Sequence, residues 1–207
     1  MSPLHPRTAV RATAAVLAAA AAVTGLAACS GDDPAPAAAR PSTRKALTYS
    51  GVPAMTWTKT VCDGISAWQA KADTVATGSA EGGDAKALDA QFREPVGDLA
   101  TATRTLAKTV ADAGHPATVS GEAVQLQVSP LTAQLDDAAT VLEALVSGPV
   151  TDAADARTRW TQTSSVVTTA DRGVRTAMRA VGQLEPSGVL GRALATTPSC
   201  AAVLKAS

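Results

Sequence analysis

Apolar side chains recur every three or four positions through most of the chain beyond residue 50. The first run is Trp57, Val61, Ile65, Trp68, Ala72 and Val75, and the second is Leu88, Phe92, Val96, Leu99, Thr103, Leu106 and Val110. A third follows at Val124, Val128, Leu131, Leu135, Ala138, Leu142 and Leu145. The fourth is Ala153, Ala156, Trp160, Val167, Ala170, Val174, Met178 and Val181. Steps of three and four place each set on one face of a helix, a narrow stripe suited to helices packed nearly parallel. Breakers separate the runs: Gly78 to Gly83 (GSAEGG), Gly114-His115-Pro116 and Ser147-Gly148-Pro149. Connections this short favour antiparallel neighbours, so the pattern predicts an all-α, up-down-up-down four-helix bundle. Pro186 should stop the fourth helix, and a short helical segment around Val189 to Ala195 should cap the bundle end.

Two prolines interrupt this picture. Pro95 and Pro130 fall inside the second and third runs, where each removes a backbone hydrogen bond and crowds the preceding turn. Each helix is expected to kink there or to divide in two. Ser129-Pro130 also reads as a cap followed by a first helical position. In that case Val124, Leu126 and Val128 alternate as a strand would, although the helical reading is preferred. A kink can open a gap between helices, which is the only hint of a ligand pocket; the alternative is that the prolines merely bend helices around a core.

The chain ahead of the bundle has a different character. Arg7 and Arg11 precede a stretch of Ala, Val and Leu from Thr13 to Leu26, with no acidic residue before Asp32. This has the order of an export signal. An apolar run of roughly 15 residues, mostly alanine, is short of the about 20 that span a bilayer. The run ends in Leu26-Ala27-Ala28-Cys29, which resembles the lipobox of bacterial lipoproteins. That resemblance covers the first thirty or so residues. It implies cleavage before Cys29 and alkylation of the Cys29 thiol by diacylglycerol, with a palmitate-type anchor on the extracytoplasmic face of the cell membrane. A signal cut at an Ala-x-Ala site, with Cys29 a bystander, is the alternative. Abundant Ala, few Lys and no Asn resemble the composition of exported lipoproteins of high-GC actinobacteria.

Residues 29–50 then read as the lipidated cysteine and a flexible linker, because Pro, Ala, Ser and charge without periodicity cannot bury enough surface to fold. Tyr49 falls in this segment and reads as a linker residue. The organisation expected is therefore signal peptide 1–28, linker 29–50 and helical bundle 51–207, the last long enough for one domain with its own core. With Cys29 assigned to lipid, Cys62 and Cys200 remain, an even number in an exported domain. They are expected to form a disulfide pinning the C-terminal tail to the first helix. A reactive pair would show close spacing, which is absent.

The 18 basic and 18 acidic residues of the chain balance, but they are not evenly spread. Residues 51–147 hold 6 basic against 12 acidic, and residues 148–207 hold 7 against 4. Arg172, Arg175 and Arg179 stand three and four apart, on one face of the fourth helix. This stripe is a candidate anion-binding site for lipid phosphates or wall polymers, with Arg192 in the terminal segment a further candidate. The alternative is that it pairs with Asp136, Asp137 and Glu143 of the third helix or stays solvated. Nucleic acid is a poor partner for an acidic domain with few aromatic residues.

Catalytic chemistry has little support. Beyond the signal, His115 is the only histidine, so no multi-histidine metal site can form, and no cysteine cluster replaces it. Asp112 lies near His115 in sequence, but no Gly-x-Ser-x-Gly elbow supplies a nucleophile. Asp136 and Asp137 are adjacent and so point about 100° apart on a helix. Glu81-Gly82-Gly83 lacks the spacing and lysine of a phosphate loop. No cofactor or metal is implied. The sequence is read as a membrane-anchored, non-enzymatic interaction or accessory protein of the cell envelope, with an envelope protein or polymer as partner. A small-ligand binder using a gap near the prolines is the alternative.

Overall fold

A computed structural model describes residues 47–79 and 82–205. Six helices follow one another: α1 (Ala54–Ala76), α2 (Ala85–Ala113), α3 (Gly121–Ser147), α4 (Ala153–Leu184), α5 (Val189–Thr196) and α6 (Pro198–Lys205). Cys29, its lipobox and the linker up to residue 46 lie outside the described residues. Among the described residues no helix is long and apolar enough to cross a membrane.

Side-chain pairings give the direction of each helix. Up α1, Trp57, Trp68 and Lys71 meet Gly114, Thr103 and Asp98 of α2 and its following turn, in descending order. Arg93 of α2 reaches the Val146 carbonyl at the end of α3, while Arg104 reaches Glu143 and Asp136 nearer the middle. Gln134 of α3 bonds the Thr169 carbonyl of α4, and Gln69 of α1 bonds Asp171. The four long helices are therefore an up-down-up-down bundle, as the periodicity requires.

The stripes are the core. Every position of the first two runs is buried, and in the third only Leu145 is left half-buried. Burying a side chain such as Ile65, Leu99 or Leu135 stabilises the fold by about 1.5–3 kcal/mol. The fourth run needs correction. Ala153 is exposed, Trp160 and Val167 are half-buried, and the gap between them is filled by Thr163, which is fully buried. Thr163 is tolerated because its hydroxyl donates to the Arg159 carbonyl one turn back (2.9 Å). The same device serves the buried Thr103. Its hydroxyl donates to the Leu99 carbonyl (2.7 Å) and accepts the Trp68 indole N–H (2.9 Å), so both of these buried donors are paired.

Both prolines are absorbed. α2 and α3 run continuously through Pro95 and Pro130, so neither helix is two pieces. Residues 124–128 are helical, and Ser129 is an interior residue whose hydroxyl bonds the Gln125 carbonyl (2.8 Å) instead of a cap. Tertiary packing of Val124, Val128 and Leu131 outweighs the one hydrogen bond that Pro130 cannot make. The α2 N-terminus is capped by Asp84, which accepts from the Ala87 amide (2.9 Å). Gly78, just past α1, lies against the Trp160 ring, and Trp160 meets Phe92 edge to face at 5.3 Å.

The C-terminal segment is more regular than a tail. α5 caps the bundle end, and residues 198–205 form α6 along α1, also touching α4. Cys62 of α1 and Cys200 of α6 form the disulfide, with Cα atoms 5.1 Å apart. Ser199 donates to Asp63 (2.7 Å), and Val203 is buried in the same seam. Tyr49 is placed against the α2–α3 turn beside His115 and Val119, and Val52 pairs with Pro116 in an isolated parallel bridge.

Candidate functional site

The arginine stripe sits on the outer side of α4, and its members have different surroundings. Arg175 is half-buried and donates to Asp171 of its own helix (Nε to Oδ2, 2.6 Å). Asp171 also accepts from Gln69 (3.3 Å), tying α4 to α1. Arg172 and Arg179 are exposed and have no ion-pair partner among the described residues. Arg192 does not add to the stripe by any contact; its guanidinium donates to the Ser187 carbonyl (2.9 Å) and holds the turn into α5.

Of the α3 acids, Asp137 borders the α3–α4 seam without an ion pair among the described residues, and Asp136 and Glu143 turn to α2. Arg104 of α2 takes Glu143 with both arms (2.9 and 2.8 Å) and lies 3.8 Å from Asp136. That bidentate hydrogen bond holds the Glu143 carboxyl below its ordinary range and raises the Arg104 guanidinium. Arg104 stands on the neighbouring helix at the matching height, an assignment that azimuth and register make and sequence spacing does not.

Arg172 borders a shallow groove of about 370 Å³ between α3 and α4, floored by Leu126, Pro130, Leu131 and Ala177. Gln134 closes one side by lying over Gly173, where a larger residue would strike its amide, and its Nε2 donates to the Thr169 carbonyl (3.1 Å). The seam continues past Gln134 and Thr169 to Val141 and Val166. Pro95 borders a second hollow, of about 280 Å³, crossed by the Lys71–Asp98 pair (2.7 Å). A third cleft of about 460 Å³ lies between α1, α4 and α6, with Trp68, Val167, Asp171 and Arg175 on its walls. Trp68 contributes little reachable surface, being 2% exposed with its indole N–H bonded to Thr103.

One constellation was not legible in the sequence. Arg159 donates to the carbonyls of Leu145 (2.8 Å), Gly148 (2.7 Å) and Pro149 (3.0 Å) and to Asp155 (3.0 Å). Arg93 reaches Val146 (2.6 Å) and is held by Asp89, which also accepts from the Val150 amide (2.8 Å). Two arginines thus clamp the α3–α4 turn by satisfying the carbonyls that α3 leaves unpaired at its end. Asp89 is held below its ordinary carboxylate range, first by the hydrogen bond from Arg93 and then by the Val150 amide. Asp155 is depressed first by Arg159 and then by the Thr151 amide. The i, i+4 Asp–Arg spacings are visible in the sequence, but not the carbonyls they serve.

His115 is half-buried in the α2–α3 turn, with Nδ1 3.4 Å from the Pro116 carbonyl, and Asp112 pairs with Lys108 (2.6 Å) instead of the imidazole. No group of three or more His, Cys, Asp or Glu side chains stands ready to hold a metal among the described residues. Comparison of the chain with protein-family models, with curated proteins and with solved structures finds no match.

Proposed function

We propose that this chain is a lipid-anchored, extracytoplasmic protein of the cell envelope that works by binding another envelope component and performs no chemistry of its own. The observation that carries the reading is the Cys62–Cys200 bridge inside the domain, behind a signal-like start ending in Leu26-Ala27-Ala28-Cys29. Disulfides persist in oxidising compartments, and the remaining cysteine stands where a lipoprotein is acylated. Binding fits a surface of shallow grooves and exposed helix faces, among them the α3–α4 seam beside Arg172. The reading is tested by fractionation and by the mass of the mature N-terminus. The wild type should partition with membranes and begin at an acylated Cys29, and Cys29→Ala should leave the membrane fraction. Unchanged retention of the variant, with a wild-type mass lacking lipid, would refute the anchor.

A second reading, binding of a small amphiphilic anion, is favoured by the Arg172 guanidinium standing over an apolar floor next to Pro130. Arginine suits phosphate and carboxylate alike. Salt-sensitive binding of an anionic lipid or wall polymer, lost when Arg172, Arg175 and Arg179 are all changed to Gln, would select it. Binding unchanged in that variant excludes the stripe as the site.

A further inference from the structure

Seven large apolar side chains are exposed among the described residues, and their placement is uneven. Six lie toward one end of the bundle: Leu47, Tyr49, Met55, Val119, Leu126 and Val189. Only Val141, in the last third of α3, lies elsewhere. This is the end at which the chain joins α1, closed by the α2–α3 turn and by the start of α5. Tyr49 and Val119 border the same small hollow, Val52 pairs with Pro116, and Met55 touches Thr197. Leu47 is 79% exposed, Leu126 74% and Val119 67%, so it is their shared end, and not any one of them, that calls for a partner.

Charge divides the two ends in the same sense. The segments 46–58, 113–121 and 186–191 contain no Asp, Glu, Lys or Arg; Lys45, Lys59, Asp112, Glu122, Glu185 and Arg192 stand at their margins. The opposite end carries Asp84 and Lys86 at the start of α2 and Asp152, Asp155, Arg157 and Arg159 at the start of α4. The sequence leading to Leu47 includes Arg40, Arg44 and Lys45, cations suited to lipid phosphate.

We propose that this apolar end of the bundle docks on the lipid surface of the membrane that holds the anchor. The inference rests on the proposed acylation of Cys29. Seventeen residues lie between Cys29 and Leu47, a tether of roughly 60 Å when stretched and about 25 Å when flexible. The 29 residues of α2 make the bundle about 43 Å long, so the end where the tether joins can reach the bilayer with the tether slack, whatever the far end does. Tethering makes the contact intramolecular, so a weak apolar surface suffices. The apolar side chains are spread over turns and helix ends, with Leu126 in the α3–α4 groove and Tyr49 and Val119 at a small hollow. A headgroup layer conforms to such a surface, whereas a protein partner needs a complementary shape. Tyr49 at the margin has the apolar body and polar tip that suit the membrane interface.

The test uses the full chain, recovered with its membrane and reconstituted into vesicles of phosphatidylglycerol and phosphatidylethanolamine. Mass at the N-terminus reports acylation separately, so failure of the anchor and failure of docking are read independently. Spin labels on Val119→Cys and, at the far end, Ser147→Cys report access to oxygen and to an aqueous nickel chelate. The label at 119 should favour oxygen and lose nickel access on vesicles, while the label at 147 stays aqueous. Adding Met55→Glu and Leu126→Glu should return the label at 119 to water without lowering the thermal midpoint. Equal aqueous access at both positions would overturn the proposal. Shielding at 119 that persists in detergent with a doubled particle mass would overturn it too, in favour of a second copy.

Discussion

Reduction of the Cys62–Cys200 bridge should undock α6 before it unfolds the bundle. The two cysteines are 138 residues apart, and cross-linking so long a loop lowers the entropy of the unfolded chain by an amount worth about 5 kcal/mol in the chain-entropy treatment. α6 itself has eight residues, of which Cys200 and Val203 are buried and Leu204 is half-buried against the core. Ordering eight residues costs roughly 8–16 kcal/mol in backbone entropy. Burial of Cys200, Val203 and part of Leu204 offsets roughly 4–7 kcal/mol of that. Each hydrogen bond adds only about 1 kcal/mol net. Without the covalent link α6 therefore cannot hold its place. Hydrogen exchange of the reduced protein, or of the Cys62→Ala/Cys200→Ala variant, should show residues 198–205 unprotected while α1–α3 remain slow. The thermal midpoint should fall by about 10–20 °C, as about 5 kcal/mol implies for a domain of this size. Full protection of residues 198–205 after reduction, or a midpoint within about 2 °C of the oxidised protein, which corresponds to less than about 1 kcal/mol, would refute this reasoning.

Three further outcomes are expected. Thr103→Val keeps the shape but strands the buried Trp68 indole N–H, and should cost about 1–3 kcal/mol in urea unfolding; a neutral result would mean the indole finds another acceptor. Asp89 and Asp155 have folded pKa values below their unfolded ones, so the stability they contribute is present above the ordinary carboxylate range and is lost as pH falls through the folded values. Urea midpoints measured downward from about pH 5 should therefore fall, and Asp89→Asn should flatten that dependence; an equally steep profile in the variant would count against the clamp. Two glycines should part ways under substitution. Gly78→Ala drives a methyl into the Trp160 ring and should cost about 1–3 kcal/mol. Gly173→Ala meets only the movable end of Gln134 and should gain up to about 1 kcal/mol of helix propensity, a contrast that paired thermal melts can check.

The stripes of α1, α2 and α3 could be read almost residue for residue because a helix turns by a fixed angle, so local spacing alone decides which residues share its buried face. The breakers behaved in the same local way, and the even cysteine count left one pair to close. Tertiary structure decided whatever depended on a neighbour. Thr163 reads as a gap in the α4 stripe until its hydroxyl finds the Arg159 carbonyl and the core closes over it. Residues 198–205 carry no long periodicity and are helical because the disulfide and α1 hold them. Glu143 and Asp136 faced Arg104, and Arg159 turned to the end of α3, because the choice among many oppositely charged groups depends on azimuth and height across separate helices. The apolar end was equally hidden. Leu47, Met55, Val119 and Val189 are far apart in sequence, and each alone is an unremarked surface residue. Only the up-down-up-down course of the chain brings their segments to one end, since alternate turns of an antiparallel bundle must meet there.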